Sequence, residues 1–323
     1  MITRYDLING ALAESPVGPV TVYVAPDAAE RATLCEAHGI DEHTLNSALD
    51  PDEVPRLEQN GETLSLIWKR ALNCSGKDNF YFNVSSLGLF LTGDRLSAVM
   101  DQPLPLLEGG GRFAPKMSVA RDLFFAVLLG TIQHYLGHLK VIKMISHDLQ
   151  KRINTSMANE SLIQMFNLSE SLVYYTNAIS ANGIVLGRLR TAAEKIGFDQ
   201  RTLETVDDII IENNQCLRQA EIYSTVFSGL MDARGSLVNN NMSMLLKNLT
   251  IINIVFLPLN LIAGIGGMSE YSMMTQGVDW RIAYGAFGAA MVLLGWFTAY
   301  LLGKVNFMTV NPFDVFSFRR KRK

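Results

Sequence analysis

Lys247-Asn-Leu-Thr-Ile-Ile-Asn-Ile-Val-Phe-Leu-Pro-Leu-Asn-Leu-Ile-Ala-Gly-Ile-Gly-Gly-Met-Ser269 decides how this chain is read. From Leu249 to Met268 it is apolar over about 20 residues, enough to cross ~30 Å of hydrocarbon as a helix. A second segment of that kind runs from Ile282 to Gly303. Within the first, Thr250, Asn253, Leu257, Asn260 and Gly264 recur at steps of three and four, so they share one helical face. Carboxamides in hydrocarbon are costly unless they face protein or water. The face therefore reads as the lining of a pore or as a helix–helix contact. One hairpin cannot enclose a hole, so the pore reading requires a cyclic homo-oligomer. Repetition then turns Asn260 into a ring of carboxamides and Glu270 into a ring of charge at one mouth.

The flanking charges orient this hairpin. Lys247 precedes the first span, Lys304 ends the second, and the chain closes on Arg319-Arg-Lys-Arg-Lys323. The connecting loop carries Glu270, Asp279 and Arg281. The positive-inside rule places the tail in the cytoplasm, and two spans return the chain to the side it left. The expectation is a multi-pass protein of the inner membrane with both termini cytoplasmic. Beside a membrane hairpin, the basic tail suits anionic lipid headgroups rather than nucleic acid. Met1–Leu12 has charges and no apolar core, so no signal peptide is expected.

The region before the spans reads as soluble and falls into parts. Residues 1–115 form an α/β domain, with strands at Val20–Val24, Thr63–Trp68, Asn79–Val84, Leu87–Thr92 and Leu96–Met100. One or two short helices are expected over Ala28–Ala48, and Thr92-Gly-Asp-Arg95 reads as a hairpin turn. Pro103–Pro115, with Gly109-Gly-Gly111, is a break. Residues 116–198 read as a helical hairpin. Residues 199–248 form a stalk helix, with Asp199 as its N-cap. That helix continues into span 249–268, followed by loop 269–281, span 282–303 and basic tail 304–323. Pro258 is expected to kink the first span. The fold class is thus an α+β cytoplasmic domain with long stalk helices and a C-terminal two-helix transmembrane hairpin.

Enzyme chemistry has no foothold here. There is no P-loop, no G-x-S-x-G and no dinucleotide fingerprint, and no organic cofactor is expected. Cys35, Cys74 and Cys216 are scattered without zinc or disulfide spacing. His134 and His138 stand four apart on a helix, a spacing that can chelate Zn²⁺ if two further ligands come from elsewhere. His147 and Asp148 are too distant along the helix to complete it, and a pair of metal-free surface or core histidines is the alternative. Asp207 and Asp208 are adjacent carboxylates on the stalk, suited to a hard cation such as Mg²⁺, or else two solvated helix residues. Asn213-Asn214 and Asn239-Asn-Asn241 give the same helix an asparagine-rich face, either vestibule lining or solvated surface.

The 247–269 stretch resembles the pore helix of the CorA divalent-cation transporter family (the CorA/ZntB superfamily), which reads M-K-x-L-T and then P-L-T-x-I-A-G-I-x-G-M-N. Ala48-Leu-Asp-Pro-Asp-Glu-Val-Pro-Arg-Leu-Glu58 resembles a second segment of that family, in the same order. The resemblance covers nearly the whole chain. It implies a CorA-like funnel, a homopentamer that carries Mg²⁺, Zn²⁺, Co²⁺ or Ni²⁺ as substrate, with a divalent cation also as regulator. Position by position, the mouth motif falls on Gly267, Met268 and Ser269, and the pore-facing threonine on Asn260. The hydrophobic constrictions fall near Leu246, Leu249 and Leu257. A regulatory carboxylate falls on Asp208, with Asp101 as its partner from the α/β domain. The family tends to have acidic residues near His134, so an imidazole there would tilt a site toward zinc.

The departures from the family pattern bear on selectivity. Ser269 replaces the motif asparagine, a shorter and weaker acceptor. Gly266 stands where an aromatic is frequent, and Gly264, Gly266 and Gly267 together suggest a flexible mouth. Glu270 follows at once and would supply attraction that Ser269 lacks. These features point to a divergent, CmaX-like branch. They also keep open a transport-deficient membrane scaffold or metal sensor.

Overall fold

The computed structural model describes residues 1–8, 10–61, 63–72, 81–107, 119–153, 159–196 and 198–306. The basic tail from residue 307 onward and most of the 103–115 break therefore lie outside the described residues. The chain divides into two units, Met1–Ala233 and Arg234–Lys323.

The first unit contains β1 (Ile2–Ile8), β2 (Ala11–Glu14), β3 (Val20–Val24), α1 (Ala28–His38), α2 (Glu42–Leu49), β4 (Arg56–Asn60), β5 (Thr63–Ala71), β6 (Val84–Thr92) and β7 (Arg95–Met100). The seven strands form one sheet in the order β2-β1-β3-β7-β6-β5-β4. β3 and β7 pair in parallel and the other neighbours are antiparallel. The central strands are apolar on both faces, as expected for a sheet covered on each side. Leu64, Leu66, Trp68, Leu87, Leu89, Leu91, Leu96 and Ala98 face the long helices. Ile67, Phe90 and Val99 face Leu34, Leu45 and Ala48 of α1 and α2. Gly88 is required in β6 because a Cβ there would lie 2.5 Å from Ala48 Cβ.

Local chemistry explains the turns. Asp27 and Glu30 form a capping box that starts α1, and Gly39, at φ 61°, ends it. Thr92 pairs with Arg95 across the tight turn of the expected hairpin, where Gly93 has φ 58°. Asp94 of that turn accepts the Ala120 N–H at 3.1 Å and so caps the helix that begins there.

That helix is α3 (Ala120–Ile153), followed by α4 (Asn159–Ile196) and α5 (Gln200–Gly266). Their buried positions repeat at steps of three and four. On α4 they include Leu168, Leu172, Tyr175, Ile179, Asn182, Leu186, Leu189 and Ala193; on α5 they include Val206, Ile209, Asn213, Cys216 and Ala220. This is the spacing of knobs-into-holes packing.

Three differences from the sequence reading stand out. The strands β1, β2 and β4 were not anticipated. The expected strand at Asn79–Val84 is not one: residues 79 and 80 lie outside the described residues, 81–83 are irregular, and β6 begins at Val84. Asp199 precedes α5 as expected, but its side chain accepts the Thr202 hydroxyl, and the Thr202 and Leu203 amides bond its carbonyl.

In the second unit, α5 continues through Pro258 to Gly266, and α6 (Ser269–Met274) and α7 (Trp280–Asn306) follow. Helices α5 and α7 are long and apolar enough to cross a membrane. Asp279 caps α7 through Arg281 N–H at 3.0 Å.

Candidate cation path and carboxylate sites

The first span has two unlike faces. Ile251, Val255, Pro258, Leu259, Ile262 and Gly266 are shielded; Thr250, Asn253, Leu257, Asn260 and Gly264 are exposed. At about 100° per residue the two sets point roughly 180° apart. The shielded face meets α7. Gly266 lies under the Phe287 ring, and Leu259 lies against Gly295. The shielded positions of α7, namely Ala283, Phe287, Met291, Leu294, Gly295 and Thr298, form the matching face.

The polar row therefore points away from the chain's own second span. Thr250 satisfies its hydroxyl within the helix, on the Leu246 carbonyl at 2.8 Å. The Asn253 and Asn260 carboxamides have no hydrogen-bond partner among the described residues. Leu246, Leu249 and Leu257 are exposed on the same side. At the end of α5, Gly267 and Met268 make a turn, with amides bonded to the Ala263 and Ile265 carbonyls at 3.1 Å each. Ser269 and Glu270 then open α6. The three glycines read from the sequence as a flexible mouth differ. Gly264 has open space around it and Gly267 has ordinary contacts, whereas Gly266 is required by the Phe287 ring. Close packing, rather than flexibility, accounts for Gly266.

In the first unit two of the three candidate carboxylates, Asp101 and Asp207, are already engaged by cations of the chain. Asp101 accepts from Ser85 Oγ at 2.7 Å and lies 3.6 Å from Nη2 of Arg70. Arg70 is only 2 % exposed, so Asp101 is the counter-charge of a buried guanidinium. Asp207 accepts from Arg190 Nε of α4 at 2.7 Å, while Arg190 Nη1 reaches Glu194. Asp208, next to it, is exposed, with no side-chain partner among the described residues.

His134 and His138 are brought together, with ring centroids 4.3 Å apart. Their surroundings are those of a packed core. His138 Nδ1 is 2.6 Å from the Tyr175 hydroxyl, and Phe82 packs edge-on against its ring. Burial, then the neighbouring His134, pulls the His138 pKa down to about 4. Burial, then Arg70, also lowers that of His134. Among the described residues no group of three or more His, Cys, Asp or Glu side chains is placed to hold a metal ion. Cys216 is buried, and desolvation pushes its thiol up to about 12, which leaves it unreactive.

Residues 22–304 match the sequence model of the family described as CorA-like Mg²⁺ transporter protein. This chain belongs to the CorA-like family. A cobalt/magnesium transport protein CorA from Methanocaldococcus jannaschii is 23% identical over 254 residues, covering 76% of this chain and 77% of its own length. The complete structure of the CorA magnesium transporter from that organism superposes with a TM-score of 0.73 at 18% identity, covering 93% of this chain and 96% of the other. The full-length CmaX protein gives 0.66 at 15% identity, with 92% and 96% covered. These likenesses establish a CorA-like fold, and with two candidate spans the chain is a membrane protein.

The CorA-like reading leaves several contacts that no sequence spacing announced. Arg70–Asp101 and Arg190–Asp207 are two. A third is the pair of hydrogen bonds between the Asn182 carboxamide and the backbone of Lys69, at 3.0 and 2.8 Å. Lys69 in turn reaches the Pro51 carbonyl through Nζ and donates to Ser86 Oγ at 3.2 Å. This clamps the Ala48–Glu58 segment, the second stretch of family likeness, onto the sheet.

Proposed function

We propose that this chain forms a homopentameric CorA-like channel that moves divalent metal cations, drawn from Mg²⁺, Zn²⁺, Co²⁺ and Ni²⁺, across the inner membrane, with both termini cytoplasmic. The observation that carries the reading is the face of Asn253, Leu257 and Asn260, exposed and turned away from the span that packs on α5. In a ring of copies the carboxamides would meet a hydrated path. Leu246, Leu249 and Leu257 would narrow it, and Gly267, Met268, Ser269 and Glu270 would stand at its outer mouth. Asp208 is the stalk carboxylate open to a regulatory cation.

No nucleotide motif accompanies the spans, so the cation gradient and the membrane potential, or coupling to protons, would supply the drive. For a divalent cation, 100 mV negative inside is worth about 4.6 kcal/mol, from about 2.3 per charge. The test is flux in proteoliposomes with each of the four cations offered alone, in wild type and in Asn260→Leu. A leucine ring there removes the polar surface, and flux should fall at least about tenfold, a barrier change of ~1.4 kcal/mol. Equal flux in the two proteins takes Asn260 off the path. The alternative, a scaffold or sensor without transport, draws on Ser269 at the motif asparagine. It would be supported by wild-type liposomes that pass none of the four.

A further inference from the structure

Gly266 is the one buried position between Leu249 and Met268. A Cβ there would lie 2.5, 2.8 and 3.1 Å from three carbons of the Phe287 ring. An aromatic ring is rigid, so it cannot yield to an added methyl by bending aside as a lysine or methionine tip would. It is therefore seated on the bare Cα of Gly266. One residue later the chain leaves the helix, and Gly267 and Met268 make the turn into α6, which opens on Ser269. Terminal helical turns fray unless something holds them. Here the last turn is held from α7, at the residue directly before the mouth.

We propose that Phe287 is a positioning residue for the outer mouth: seated on Gly266, its ring fixes where Gly267, Met268 and Ser269 emerge, and thereby which divalent cations the mouth admits. The specificity part rests on the channel reading above. Deleting the ring would free the terminal turn and widen the spread of positions open to Ser269. A loosened site loses discrimination before it loses binding altogether. Adding a methyl at Gly266 would push the turn off the ring and displace the mouth from the other side of the same contact.

The experiment uses the full chain in proteoliposomes, as wild type, Phe287→Ala, Phe287→Leu, Gly266→Ala and the double variant Gly266→Ala/Phe287→Ala. Phe287→Leu keeps apolar bulk and stands in if the alanine variant does not assemble. Flux is measured with Mg²⁺ and Co²⁺ separately. In parallel, Ser269→Cys is introduced into each background. Its reaction with an impermeant thiol reagent, added on the loop side, is timed against the background labelling of the native thiols. The Co²⁺ to Mg²⁺ flux ratio should shift roughly three- to tenfold in Phe287→Ala, and the thiol rate should rise by a similar factor. The double variant should return toward wild type, because the methyl then occupies space the ring has left. Equal thiol rates in all backgrounds overturn the positioning role, whatever the flux. A changed rate with an unchanged flux ratio in a conducting chain overturns the specificity role. A changed rate in a chain that conducts nothing leaves the contact standing and removes the channel reading alone.

Discussion

Arg190 of α4 donates from Nε to Oδ1 of Asp207 on α5 at 2.7 Å. The two adjacent stalk carboxylates are therefore not equivalent: one has a resident cation from its own chain, and its neighbour does not. A regulatory divalent cation should thus depend on Asp208 more than on Asp207. Asp208→Ala should shift the Mg²⁺ concentration that protects the stalk from limited proteolysis, while Arg190→Gln, by releasing Asp207, should move it to lower concentration. Thermal stability should change little in either, because these groups stand in solvent. Identical protection curves for wild type and Asp208→Ala would remove the regulatory role.

Asp101 bears on the same question from the sheet side. It neutralises Arg70, which burial strips of water. Asp101→Asn should destabilise the first unit by about 2 kcal/mol, below the 3–5 of a fully buried pair because Asp101 is 34 % exposed. Combining it with Arg70→Met should recover most of the loss. If Asp101 acts chiefly as a cation ligand, the single variant would instead change cation dependence and leave the unfolding midpoint in place.

Asn182 stands in for a missing strand residue. β4 pairs with β5 only as far as Arg56 opposite Ile67, so the next bonding pair of the antiparallel ladder, Val54 with Lys69, is not made. Lys69 would therefore present an unpaired N–H and carbonyl. The Asn182 carboxamide supplies one acceptor and one donor in their place. Asn182→Ala leaves both groups buried and unsatisfied, for a loss of roughly 2–4 kcal/mol, measurable by thermal or denaturant unfolding. Asn182→Leu, which fits the apolar row of α4, should do no better, since it supplies neither bond.

This kind of contact marks the limit of what could be read from the sequence. The spans, the α5 stalk and the central strands were legible because each carries its own periodicity: twenty apolar residues, steps of three and four, or alternation. β1, β2 and β4 were not, because they lie at or near the sheet edges. There Arg4 and Asp6 charge one face of Ile2-Thr-Arg-Tyr-Asp-Leu-Ile8, and Arg56-Leu-Glu-Gln-Asn60 has Leu57 as its one apolar residue, so neither carries a long apolar alternation. The polar row was legible as a row, but the sequence left open whether it met the second span. Only the packing of Gly266 on Phe287 and Leu259 on Gly295 turned it the other way. The arginine partners of Asp101 and Asp207 come from residues 31 and 17 positions away, with no local pattern to announce them.

The half-buried histidines set an acid limit. His138 has its pKa lowered to about 4 in the folded state, against an ordinary value near 6.5. Between those values the unfolded chain holds more protons than the folded one, so stability falls as pH falls from 6.5 towards 4, and the slope vanishes below it. One such group contributes at most about 1.4 kcal/mol per pH unit, and His134, shifted in the same direction, adds to it. Unfolding midpoints of wild type and His138→Gln, followed from pH 7 to pH 4, should converge as the acid end is approached. Parallel curves would mean that His138 is not held neutral by the fold.

Gly264 and Gly266 offer a matched pair of substitutions two residues apart. A Cβ at Gly264 meets nothing within 4 Å in the chain, whereas at Gly266 it meets the Phe287 ring. Alanine is also the better helix former, by about 1 kcal/mol in a helix interior. Gly264→Ala should therefore leave the hairpin as stable as before or slightly more so, while Gly266→Ala should lower the melting temperature of the detergent-solubilised protein. Any loss of flux in Gly264→Ala then has its cause outside the protomer, in a lumen narrowed by one methyl per copy or in a neighbouring copy. Enlarging the side chain separates these two: with Gly264→Leu, a lumen position loses flux while the oligomer keeps its elution volume, and a subunit contact loses the oligomer itself. Full flux through Gly264→Leu would place this face against lipid or protein and would count directly against a cation path along Asn253, Leu257 and Asn260.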